Sequence, residues 1–155
     1  QAKSTTAKSV LENLNPLIDI IAFEEKLTAE NALRIIQNFD VVVDGCDNFA
    51  TRYLVNDTCV TLGKTLVYGS ILKYEGQLAV FNHKGSKNLR DLFPEPPNPE
   101  DVPNCNLNGV MGTLPGIIGT MMAHETLKLI MNLPILKNEL VLFNTLNWSY
   151  NKLKF

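Results

Sequence analysis

The chain has 155 residues, 14 Lys plus Arg against 16 Asp plus Glu (a formal net charge of −2), and 45% hydrophobic residues. This suits one domain with a real core and excludes a general electrostatic case for nucleic acid or an anionic membrane. No apolar run approaches the roughly 20 residues that cross a bilayer. Three cysteines make no disulfide framework, and no signal-peptide pattern opens the chain, so a reducing, cytoplasmic setting is expected.

The first predicted element is a helix over 4–14, with Val10, Leu11 and Leu14 at helical spacing. Asn15-Pro16 stops it, because the residue before proline avoids the helical region. Residues 17–23 (LIDIIAF) are apolar and rich in β-branched side chains, which predicts a strand. Thr28 is the expected cap of a helix over 29–38, with Leu33, Ile35 and Ile36 facing inward. Residues 39–44 (FDVVVD) form a continuous apolar run that ends in an acid, the pattern of a central parallel strand covered on both faces.

Gly45 breaks that strand, and a helix over 49–62 follows, capped by Asn48 and closed by Gly63. Residues 65–74 predict the next strand, Glu75-Gly76 a turn, and 77–82 its hairpin return. Residues 83–113 show no period and carry Pro94, Pro96, Pro97, Pro99 and Pro103, so a long crossover loop is expected. Pro115 opens a helix that runs through Ile117 to Met131, and Gly116, Gly119 and Ala123 keep one side of it small enough for close packing. Residues 139–144 and 148–155 close the chain as a strand pair. The order predicts an α/β fold, a Rossmann-like and mainly parallel sheet with an antiparallel extension.

In open α/β sheets, ligands bind beyond the carboxyl ends of the parallel strands. The segment Asp44-Gly45-Cys46-Asp47-Asn48 falls there. Asp47 could hold Mg²⁺ against a nucleotide phosphate, since such ions take one or two protein carboxylates. Equally, Asp47 or Asn48 could do no more than cap the helix. Cys105, in the proline-rich loop, is either an exposed nucleophile or an ordinary surface thiol. Cys46 and Cys59 read as small core side chains, His83 and His124 show no partners, and Lys3 has no role that composition reveals. No CxxC pair and no G-x-G-x-x-G loop occur.

The run DVVVDGCDNFATRYLVNDTCVTLGKTLVYGSILKYEGQLAVFN resembles the middle of the ThiF/MoeB/HesA family, the bacterial relatives of ubiquitin-activating enzymes. The run LFPEPPNPEDVPNCNLNGVMGTLPGIIGTMMAHETLKLIM is similar to that family's crossover loop and following helix, and LVLFNTLNWSYNKLKF to its last strands. Gln1-Ala2-Lys3 matches the family's G-Q-x-K segment entered one residue late, so the chain resembles the C-terminal part of an adenylating domain, expected as one domain over 1–155. The resemblance implies that the parent protein uses ATP and Mg²⁺ to adenylate the C-terminal glycine of a ubiquitin-like sulfur carrier, for molybdopterin or thiamine synthesis. It implies Asp47 as the metal-holding carboxylate, Lys3 as a phosphate contact, Arg52 and Asn56 as nucleotide-site residues, and Cys105 as an acceptor of the activated acyl group. Homodimers are common among family members, and a homodimer is expected here.

The departures matter as much. The family's glycine-rich nucleotide loop is missing, so this chain alone is expected to be inactive. Where many members carry a zinc-binding CxxC before LFPEPP, this chain has Asn88 and Asp91. An amide and a carboxylate are poor substitutes for two thiolates, so no zinc is expected, and the 83–113 loop should be more mobile without that clamp. The rival readings are a non-catalytic module that binds a ubiquitin-like partner, and a nicotinamide-dependent enzyme disfavoured by the missing fingerprint.

Overall fold

Apolar stretches between residues 41 and 154 build a sheet, and helices pack against its two faces. The computed structural model describes residues 2–98 and 109–155. In chain order the elements are α1 (Lys3–Leu14), α2 (Ala32–Ile36), β1 (Val41–Asp44), α3 (Phe49–Leu62), β2 (Thr65–Leu72) and β3 (Glu75–Phe81). Then come α4 (Leu89–Leu92), α5 (Leu114–Ile130), β4 (Glu139–Asn144) and β5 (Ser149–Lys154). The sheet order follows the chain, β1-β2-β3-β4-β5. The β1–β2 pair is parallel, with Asp44 beside Tyr68, and the three later pairings are antiparallel. The α/β fold with an antiparallel extension is borne out; among the described strands, the extension is the larger part.

Period-two alternation splits the core into two layers. Leu66, Tyr68, Ala79, Phe81 and Leu140 face α3, where Tyr53, Val55 and Cys59 cover them. Val67, Leu78, Val80 and Val141 face α5, which contributes Leu114, Ile118 and Met122. The parallel pair is joined through α3, whose last turn ends at Gly63 in the left-handed region (φ 64°). Among the described residues, no helix is long and apolar enough to cross a membrane.

Several boundaries differ from the sequence expectation, each for a physical reason. Residues 17–23 form no strand: no described strand pairs with them, and Leu17 stays 92% exposed. A strand needs a neighbour for its backbone hydrogen bonds, and this run has none. The second helix is only Ala32–Ile36; Ala32, Ile35 and Ile36 are its buried face, while Leu33 points outward. β1 is an edge strand rather than a central one, and Val43 is half exposed.

The hairpin turn falls at Lys73-Tyr74 instead of Glu75-Gly76, because Leu72 pairs with Glu75 and Lys73 takes the left-handed conformation (φ 52°). Gly76 therefore lies within β3, and its lack of a side chain serves packing. A Cβ there would lie 2.3 Å from Ile118 Cδ1, and one at Gly69 would lie 2.1 Å from Met122 Sδ. Close approach of α5 thus depends on glycines in the strands. The small residues expected to provide it, Gly116, Gly119 and Ala123, are exposed on the helix's outer side. The 83–113 segment also contains the unforeseen helix α4.

This arrangement makes a paired prediction. Gly76→Ala forces Ile118 to shift and costs about 1–3 kcal/mol. Gly119→Ala, with nothing within 4 Å of the added carbon, stabilises by about 0.5–1 kcal/mol through helix propensity. Urea melts of the two variants should move in opposite directions.

Candidate functional site

Beyond the carboxyl end of β1, the chain turns through residues 45–48 into α3. Asn48 is the cap: it has extended backbone (φ −137°, ψ 146°), and its side-chain oxygen accepts the Thr51 N–H at 2.8 Å. This settles which residue does the capping and leaves Asp47 out of it. Asp47 is exposed, and among the described residues its side chain makes one hydrogen bond, a 3.3 Å contact from the Asn48 amide to Oδ1. A carboxylate at the start of a helix, with one oxygen unengaged, is a hard oxygen donor of the kind Mg²⁺ uses.

Behind the loop lies a buried charged pair. Asp44 Oδ1 accepts the Cys46 N–H at 2.9 Å, while Oδ2 accepts no hydrogen bond and sits 3.7 Å from Arg52 Nη1. Arg52 reaches from α3 toward the sheet, its guanidinium carbon 4.6 Å from the centre of the Tyr68 ring. Its Nη2 donates to the Cys46 carbonyl at 2.6 Å and its Nη1 to the Gly69 carbonyl at 2.9 Å. Both charged side chains are nearly fully buried. Burial first, and then the Asp44 carboxylate, pushes the Cys46 thiol up to about 12; burial does the same to Cys59. Neither is a thiolate at neutral pH. Cys59 is a core residue, as expected, whereas Cys46 is only half-buried on the loop.

Asn56 faces a different neighbour. Its Oδ1 accepts the Leu89 N–H at 3.0 Å, and its Nδ2 donates to Asp57 at 3.1 Å and Asn88 at 3.4 Å. It thereby anchors the start of α4. Asn88 and Asp91 form a capping box: Asn88 N–H and Nδ2 both donate to Asp91 Oδ2 at 2.8 Å, and Asn88 Oδ1 accepts the Arg90 N–H at 2.9 Å. Arg90 makes a two-pronged contact with Asp57, with Nε and Nη2 each 2.8 Å from a carboxylate oxygen. It also donates to the Pro94 carbonyl at 2.8 Å and lies 4.8 Å from the centre of the Tyr53 ring. The far end of the crossover is pinned where the Met111 N–H donates to the Lys73 carbonyl at 2.9 Å. Hydrogen bonds thus tie down both described ends of the crossover.

Lys3 stands exposed in the first turn of α1, and no hydrogen bond or ion pair joins it to Asp47 among the described residues. Cys105 lies outside the described residues. His83 Nδ1 is 3.0 Å from Thr65 Oγ1, and burial, helped by Lys84 and Lys137, lowers its pKa. Among the described residues, no group of three metal-ligating side chains occurs. The sequence reading missed Asp44, Asp57 and Arg90. Asp44 did carry a signal, an acid ending an apolar strand, while the Asp57–Arg90 contact joins residues far apart in sequence and carried none.

Fold and site together define a Rossmann-type α/β domain with a loop-borne carboxylate beyond the ends of its parallel strands. The ThiF family model matches residues 1–155, and the chain belongs to the ThiF family. It is 48% identical over 153 residues to the adenylyltransferase and sulfurtransferase MOCS3 of Anopheles gambiae, covering 98% of this chain and 35% of that protein. It is 45% identical over 159 residues to the sulfur carrier protein adenylyltransferase of Thermus thermophilus, covering 99% of this chain and 59% of that protein. In structure it is similar to MccB of Escherichia coli solved with ATP, at a TM-score of 0.82 and 12% identity, over 99% of this chain and 48% of that one. The chain thus spans about a third to three fifths of these curated relatives, and the MccB likeness bears on fold alone.

The Asp57–Arg90 contact has a pH signature. Arg90's hydrogen bonds hold the Asp57 carboxyl below its ordinary value of 3.8. A folded value below the unfolded one stabilises the fold above about pH 4 and loses that contribution as pH falls through the folded value. The two side chains are 40% and 45% exposed, so screening limits the effect to about 1 kcal/mol or less. Asp57→Asn should lower Tm at pH 7, and the gap to the parent should close in melts below pH 4.

Proposed function

We propose that the full-length protein is an ATP-dependent adenylyltransferase that activates the C-terminal glycine of a ubiquitin-like sulfur carrier, serving molybdopterin or thiamine synthesis. This chain supplies the C-terminal part of its adenylating domain. The observation that carries the reading is Asp47: it stands exposed at the end of a parallel strand, and the capping it could have done is done by Asn48. Family membership and the names of the relatives agree with it.

In the reaction, a carboxylate oxygen of the carrier's terminal glycine attacks the α-phosphorus of ATP. The bond to the bridging oxygen of the β-phosphate breaks, pyrophosphate leaves, and the carrier keeps AMP as a mixed anhydride. The chemical problem is bringing two anions together, so positive charge must gather at the phosphates. Mg²⁺, when bound, supplies part of that charge. Asp47 is the side chain that would hold it, one carboxylate beside phosphate oxygens and water. Lys3 neutralises phosphate charge, and Arg52 and Asn56 support the nucleotide site from α3. Cys105 takes over the acyl group after activation: its thiolate attacks the anhydride carbonyl, AMP departs, and a thioester forms. Asn88 and Asp91 spend their polar atoms on one another and on α4, which favours a zinc-free crossover. A cytoplasmic homodimer is the expected working form.

Carrier-dependent exchange of labelled pyrophosphate into ATP, measured on the full-length protein, tests the reading. Asp47→Ala should reduce exchange on the order of 100-fold or more, whereas Cys105→Ala should spare exchange and reduce only later transfer. Binding of the carrier without any exchange would favour a non-catalytic module instead. Titration calorimetry of this 155-residue chain with Mg-ATP should show no micromolar binding, because the glycine-rich nucleotide loop lies outside it.

A further inference from the structure

The loop that carries Asp47 is gripped from behind at both neighbouring residues. On its amino side, both polar groups of Cys46 are engaged by buried charges. The N–H donates to Asp44 Oδ1 at 2.9 Å, and the carbonyl accepts from Arg52 Nη2 at 2.6 Å. On its carboxyl side, the Asn48 cap locks onto the Thr51 N–H at 2.8 Å. Between them, and among the described residues, Asp47 has no anchor of its own beyond the 3.3 Å contact to Asn48, so its position is inherited.

Arg52 also ties that loop to β2. Its Nη1 donates to the Gly69 carbonyl at 2.9 Å while its plane lies over Tyr68, which pairs with Asp44 across the parallel ladder. One guanidinium therefore joins the loop after β1 to Gly69, one residue past the last β1–β2 pair, at the end of the parallel ladder beyond which open α/β sheets bind their ligands. Arg52 is only 5% exposed, and Asp44 is equally buried. A buried guanidinium needs a counter-charge, and Asp44 supplies it at 3.7 Å. The unbonded Asp44 Oδ2 shows that this carboxylate is placed for charge and for the Cys46 N–H rather than for a close ion pair.

We infer that Asp44 and Arg52 are positioning residues: a buried charge pair that fixes the backbone just past β1 and at Gly69 of β2 and so sets where the Asp47 carboxylate points. This rests on the proposed role of Asp47 and extends it. Lysine cannot replace Arg52, because one ammonium cannot lie flat over Tyr68 and reach two carbonyls in a fork.

Two measurements on the full-length protein test the inference, one of them independent of activity. Hydrogen exchange should show the 45–48 segment of Arg52→Lys exchanging at least about tenfold faster than the parent, with β2 and β3 protection unchanged. In pyrophosphate exchange, Arg52→Lys should cost on the order of 100-fold in kcat, as a misplacement near 1 Å does. It should also raise the Mg²⁺ concentration needed for half-maximal rate. Combined with Asp47→Asn it should cost no more than Asp47→Asn alone, since both act through one carboxylate. Unchanged exchange in 45–48, or defects that multiply in the double variant, overturns the inference. Should Arg52→Lys lose protection throughout the sheet, the near-isosteric Asp44→Asn decides by the same two criteria. If the parent itself shows no pyrophosphate exchange, the proposed activity fails, and the hydrogen-exchange comparison alone judges the positioning role.

Discussion

A single buried guanidinium organises the end of this domain where chemistry is expected. Arg52 leaves α3, crosses the face of Tyr68 and ends on two main-chain carbonyls, Cys46 and Gly69, with Asp44 balancing its charge. Charge is costly to bury unless it is paired and its donors are used. Here Asp44 supplies the counter-charge, and two donors are taken by backbone carbonyls that the fold holds in place. Removing either partner leaves the other charge stranded in the core, so the pair is far harder to lose than a surface ion pair such as Lys8–Glu12.

The second organising device is mechanical. The sheet receives α5 through gaps at Gly69 and Gly76, into which Met122 and Ile118 fit. The same helix sends the buried carboxylate of Glu125 to the Leu136 N–H at 3.0 Å, fixing the connection that leads to β4. The crossover between these layers is moored at one end by the Asp57–Arg90 contact and at the other by Lys73. Loop positions in this fold are therefore set by specific polar contacts on a rigid base, the usual way a scaffold carries function on connecting segments.

What was legible in the sequence follows from how local each signal is. The 49–62 helix, its Asn48 cap and its Gly63 stop were read correctly, because caps and left-handed terminators act within a few residues. The closing strand pair was legible because its two strands flank a short connection. Residues 17–23 misled because their composition is that of a strand, while strandhood depends on a neighbour that composition cannot supply. Gly76 misled in the opposite way: glycine beside glutamate reads as a turn, yet the reason for it is Ile118, remote in sequence. Asp47 could be singled out by its place at a strand end, but only the structure assigns the cap to Asn48. Asp44 acts through the Cys46 N–H and Arg52 through two main-chain carbonyls, roles that no spacing announces.

The chemistry of Cys46 has a bearing on how this loop meets its surroundings. A thiol held protonated well past neutrality presents no anion to an oxidant or to an electrophile. A thiolate there would have set a second negative charge next to Asp47, at a place that must tolerate phosphate. The neutral sulfur adds no charge of its own to the loop.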